Sequence, residues 1–235
     1  MSLRSPIPTR LLRPLFLWAI ACGTVLITWG SLRYFFGDEE PPFVLEKIAT
    51  AHLASEATWI AALHVHVIAA AFALPACLVL SLRSVQRRVP RVHRWLGRIT
   101  GVVVLLALVP SGGYLALWAK GGAASTVGFL VSGGIVAVAM VQGIRTARAR
   151  DYVAHRRCTA HVLAQLSVAV TSRALLLVFD CAAIDPELAY LAALWIPVVG
   201  SALVAQWSSE PVRRRTSQEK NHETVPRLFV RDPAR

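Results

Sequence analysis

The run CTAHVLAQLSVAVTSRALLLVF, residues 158–179, decides how the chain is read. It is long and apolar enough to cross about 30 Å of hydrocarbon, which takes roughly 20 helical residues. It carries one charge, Arg173. A guanidinium inside hydrocarbon is costly unless it faces a partner or water within a bundle, so Arg173 marks a candidate functional site.

Five further runs resemble it: Pro14–Leu32, Ala57–Leu82, Ile99–Ala119, Gly121–Ile144 and Leu188–Ser209. In lipid the backbone must satisfy its own polar groups, so uninterrupted apolar runs of this length are helices and not strands. The chain is 55% hydrophobic and only 16% charged. That composition excludes disorder and a typical soluble domain. The expectation is an all-α, polytopic transmembrane bundle of six helices over residues 1–210. A basic, disordered cytoplasmic tail follows over residues 211–235.

Charge sets the orientation. With the N-terminus cytoplasmic, every Lys and Arg falls on the inner side except Arg33, Lys47 and Lys120 outside and Arg173 within. So strong a bias places both termini in the cytoplasm. The formal net charge of +12 then needs no nucleic acid. Its partners are the lipid bilayer and anionic headgroups at the cytoplasmic face. The first run ends without a small-residue cleavage site, so it reads as an anchor and not as a removed leader. The four cysteines form no C-x-x-C pair, and no metal site is expected.

The longest outer connection opens with the acidic turn Gly37-Asp38-Glu39-Glu40-Pro41-Pro42, and then spaces Phe43, Leu45, Ile48 and Leu53 as a short interfacial helix would. The remaining connections are short, so neighbouring spans should be antiparallel. Pro75, Pro110 and Pro197 lie inside runs and are expected to kink them. His93-Arg94 and His155-Arg156 each precede an inward-to-outward run, a weak sign of a repeated hairpin. On the spacing of His64 from His93, the second hairpin holds Thr126 where a histidine would stand.

A rise of about 1.5 Å per residue puts His64 ~10 Å and Arg173 ~9 Å below the outer surface. Ser111 and Tyr114 fall in the same layer. His66 is one step deeper but on another face of its helix. The candidate ligand-binding set is therefore His64, Arg173, Ser111 and Tyr114. His161, Gln165 and Ser172 extend it as a polar stripe, which should face the bundle interior. Such a site could bind a small polar or quinone-like molecule, or relay a proton. Alternatively, Arg173 bonds helix carbonyls or reaches towards Asp180. A second alternative is a b-type haem electron carrier with axial ligands drawn from His93, His155 and His161. A third is a structural or assembly protein. No phosphate loop, nucleophile elbow or metalloprotease motif points to an enzyme.

The segments R91-VHRWLGR-98 and R150-DYVAHRR-157, with His64 ahead of them and Arg173 beyond, resemble a bacterial family of predicted multi-pass membrane proteins, domain of unknown function 2306. The likeness covers about residues 60–180. Relatives often continue the second motif with Trp-Met, where this chain has Cys158-Thr159. The resemblance implies a bacterial inner-membrane location and no settled activity.

Overall fold

The computed structural model describes residues 9–36, 42–50 and 53–223, the side chains of 9–14, 16, 32–36 and 207–223 excepted. The described chain is all-helical. Helix α1 spans Thr9–Phe36, the short α2 Pro42–Thr50, α3 Glu56–Ser81 and α4 Arg83–Arg88. Helix α5 (Pro90–Val103) runs through a π-helical turn, Val104–Leu108, into α6 (Val109–Ala116). Then come α7 (Gly122–Arg148), α8 (Tyr152–Leu166), α9 (Val168–Cys181) and α10 (Pro186–Glu223).

Five stretches are long and apolar enough to cross a membrane: Glu56–Ser81, Pro90–Ala116, Gly122–Arg148, Tyr152–Cys181 and Pro186–Gln206. The apolar part of α1, Leu17–Ser31, is shorter. The acidic turn at 37–41 and residues 224–235 of the expected tail lie outside the described residues. Helix α10 itself continues to Glu223.

Local chemistry sets the helix ends. Ser55 caps α3, its hydroxyl accepting the Thr58 N–H at 3.3 Å. Asp151 caps α8, one carboxylate oxygen accepting from Val153 and Ala154 at 3.2 and 3.0 Å. Both satisfy N–H groups that have no partner inside the helix. Gly121 turns the chain between α6 and α7 at φ +84°, where a Cβ would lie 2.6 Å from the Ser125 hydroxyl.

The interior is built where α3 meets the π turn and α7. Ala69, Ala73, Val104, Leu108 and Val136 form that cluster. Helix α1 joins α3 and α9 through Ile20, Leu74 and Val170. Helix α10 closes on α9 through Val168, Leu194 and Val198. Lipid tails are as apolar as leucine, so these contacts hold by close packing, which small residues permit. At Gly128 a Cβ would come within 2.8 Å of Leu194.

Gln165, 3% exposed, joins three helices. Its carbonyl oxygen accepts from Ser132 of α7 at 2.9 Å. Its amide donates to the Val198 carbonyl at 3.0 Å and the Ser201 hydroxyl at 3.1 Å, both on α10. Replacing Gln165 by Leu should lower stability by about 1–2 kcal/mol, since interhelical hydrogen bonds of this kind contribute that much. A detergent melt with a midpoint equal to that of the unmodified protein would refute the assignment.

Candidate functional site

Two irregularities in the helices position the site. In the π turn the Val109 N–H reaches back to the Val104 carbonyl, one residue further than in an α-helix. Pro110, which has no N–H, follows at once and sustains the irregularity. Helices α3 and α10 run unbroken through Pro75 and Pro197. The second irregularity carries neither proline nor glycine: it is the break between α8 and α9 at Ser167. There the Ser167 hydroxyl donates to the Leu163 carbonyl at 2.7 Å, and the Thr171 hydroxyl to the Ser167 carbonyl at 3.1 Å. Hydroxyls that bond back onto their own helix in this way bend it.

Beside the π turn, Ser111 meets His66 of α3. The two are 3.4 Å apart, Oγ to Nδ1. Ser111 has one hydroxyl proton, and it is directed at the Ala107 carbonyl at 2.6 Å. In that pair the imidazole donates or accepts according to its tautomer. It lies flush on the backbone of Gly112, where a Cβ would stand 3.0 Å from Cε1 and 3.1 Å from Nδ1. No side chain fits between them.

Arg173 approaches from α9. It lies close enough to His66 for their charges to interact. One guanidinium nitrogen, Nη1, donates to the Ala169 carbonyl at 2.8 Å. That is its one hydrogen bond among the described residues, out of five available donors. The side chain is exposed on the flank of the bundle. Bonding to a helix carbonyl agrees with one sequence alternative, but the direction is back along α9 and away from Asp180.

The sequence-derived residues divide accordingly. Ser111 meets His66 and not His64, and Arg173 lies within electrostatic range of the same ring. His64 is half-buried on another face of α3. Tyr114 packs against Trp118, ring centroids 4.7 Å apart, in a separate cluster under α2. Gln165 is the three-helix joint described above, while His161 and Ser172 are half-buried on α8 and α9. Gly112 was a usable sign of His66: a glycine directly after the polar Ser111 marks a close approach.

A second group lies at the other end of the bundle. His155 Nδ1 is 2.8 Å from the Gly143 carbonyl. His93 of α5 lies within electrostatic range of His155, and its Nδ1 is buried without a hydrogen-bond partner among the described residues. His161 lies further along α8. No group of three or more His, Cys, Asp or Glu side chains that could hold a metal ion occurs among the described residues.

Five helices long and apolar enough to cross a membrane define a multi-pass membrane protein. A family model described as predicted membrane protein (DUF2306) matches residues 62–208. That is more than half of the chain, so the chain belongs to this family. The match runs beyond the 60–180 core read from the motifs and takes in the apolar part of α10. No curated protein and no solved structure matches the chain.

Replacing Gly112 by Val should push the His66 ring out of place and cost about 1–3 kcal/mol through overpacking. Gly113, one residue on, has nothing within 4 Å of an added Cβ. Gly113→Val should therefore melt closer to the unmodified protein, and equal losses for the two variants would contradict the geometry.

Proposed function

We propose that the chain is a six-span protein of the bacterial inner membrane, with α1 as the sixth span and both ends cytoplasmic. Its working part is the intramembrane site of His66, Ser111 and Arg173. The site holds the head of a small polar or quinone-like ligand, or passes a proton through His66. One observation carries this reading. A histidine ring is held beside the Ser111 hydroxyl and against the Gly112 backbone, and an arginine with donors to spare stands within electrostatic range on another helix. An imidazole and a cation within reach of each other's charge suit a ligand oxygen that gains or loses a proton.

The six-span reading rests on charge and on the 28-residue length of α1, about 42 Å at the usual rise. Helices α4 and α5 carry Arg83, Arg87, Arg88, Arg91, Arg94 and Arg98 beside the exposed Trp95 in sequence, and the Arg98 guanidinium lies 5.3 Å from the Trp95 ring. This fits an interface of anionic headgroups on the cytoplasmic side. Green fluorescent protein should therefore fluoresce at either terminus, and alkaline phosphatase should be inactive at both. An active phosphatase at one end would remove a span.

For the site, a melting assay with decylubiquinone and with oleate separates the outcomes. At least one should raise the midpoint of the unmodified protein, as a ligand of the native state does. The shift should vanish in Arg173→Leu and in His66→Leu, and survive in part in Arg173→Lys. If both Arg173 variants match the unmodified protein throughout, the arginine is merely tethered to Ala169, and a structural or assembly role remains.

One observation favours a second reading, a haem-dependent electron carrier. His93 and His155, on different helices, lie within electrostatic range of each other, and the Gly143 carbonyl orients His155 as it would a ligating imidazole. This pair, without His161, is the axial set that reading would use. A reduced-minus-oxidised spectrum of purified protein tests it, and a colourless preparation ends it.

A further inference from the structure

We infer that the ligand of the His66 site reaches it sideways out of the bilayer, so that it is a membrane-dissolved amphiphile with acceptor oxygens on its head. This rests on the proposed site and adds the route and the chemical class.

Three directions lead to His66. Towards the end of the bundle that carries α2, the way is closed. Val44 of α2 is 0% exposed, buried against Trp59 and Leu63 of α3, with Tyr114 and Trp118 of α6 packed around them. The ion pair between Glu46 and Lys120, 3.8 Å, ties α2 to the turn between α6 and α7. Towards the opposite end the interior is solid: Ala73 and Val104 are 0% exposed, and Leu108 and Val136 are buried beside them. The third direction passes Arg173. It sits one turn beyond Val170, where α9 packs on α1 and α3, and unlike the apolar side chains that close the other two directions it is exposed.

The chemistry of Arg173 agrees with that opening. A guanidinium on the flank of a membrane bundle, with one described hydrogen bond, is expensive unless acceptors come to it. Water-borne solutes cannot reach this depth through hydrocarbon. A molecule with an apolar tail can, and its carbonyl or carboxylate oxygens would meet Arg173 first and His66 behind it.

The experiment labels a cysteine placed at the site. In a background with Cys22, Cys77, Cys158 and Cys181 replaced by alanine, Ser111→Cys is treated with a lipid-soluble pyrene maleimide and, separately, with a sulfonated, membrane-impermeant maleimide. The impermeant reagent is applied to right-side-out and to inverted vesicles. The lipid-soluble reagent should label the cysteine, and the impermeant one should fail from either side. Labelling by the impermeant reagent overturns the lateral route, and so does failure of both reagents. Arg173→Cys, at the mouth, provides the same comparison should Ser111→Cys not fold.

Protection then identifies the head. Decylubiquinone blocking the label points to a quinone, and oleate blocking it points to a carboxylate. Protection by neither overturns the proposed class. Silent Arg173 variants in the melting assay would sink the site itself while leaving the labelling pattern intact, so the two failures are distinguishable.

Discussion

Inside hydrocarbon, each backbone N–H and C=O needs a partner from the protein itself, and the polar chemistry of this chain sits where that requirement is strained. The helical ladder departs from regularity twice in the interior, at the π turn of Val104–Leu108 and at Ser167. Side chains step in at both places. Ser111 attends to the carbonyls of Ala107 and Leu108. Ser167, Thr171 and Arg173 attend to those of Leu163, Ser167 and Ala169. Orphan polar groups in lipid cost several kcal/mol each, so the irregularities and their polar attendants belong together.

The helical architecture was legible in the sequence because hydrocarbon thickness imposes a length and lipid excludes alternatives to the helix. The rise per residue places Ser111 and Arg173 at one level in the sequence reading. The face of α3 was not legible. His64 and His66 differ little in depth but point to different sides, and which side meets α6 depends on packing. The π turn shifts the register of α6 by a residue, with Pro110 as its one local mark. Gln165 looked like part of a ligand-facing stripe because its partners, Ser132 and Val198, are far away in sequence. The Ser167 break left no trace in proline or glycine.

The weak repeat gains meaning from these irregularities. Ser111 stands as far along the chain from His93 as Arg173 does from His155, and each lies just past a helix irregularity. The position that matches His66 in the second hairpin is Gly128. There the room a histidine would take is filled by Leu194 and Trp195 of α10. Helix α10 thus covers the second hairpin at the position that answers to His66.

The joint at Gln165 bears on how the protein is made. Synthesis delivers α3 and α6 before α9, so His66 and Ser111 are already in place when the helix bearing the guanidinium enters the membrane. For Gln165 the order is reversed. Ser132 precedes it, but Val198 and Ser201 emerge from the ribosome later. A nascent chain halted after α9 therefore holds a carboxamide in lipid with its donors unmet, and arrival of the last span completes the joint. A truncation ahead of α10 should leave an intermediate recognised by membrane quality control, not a smaller working bundle.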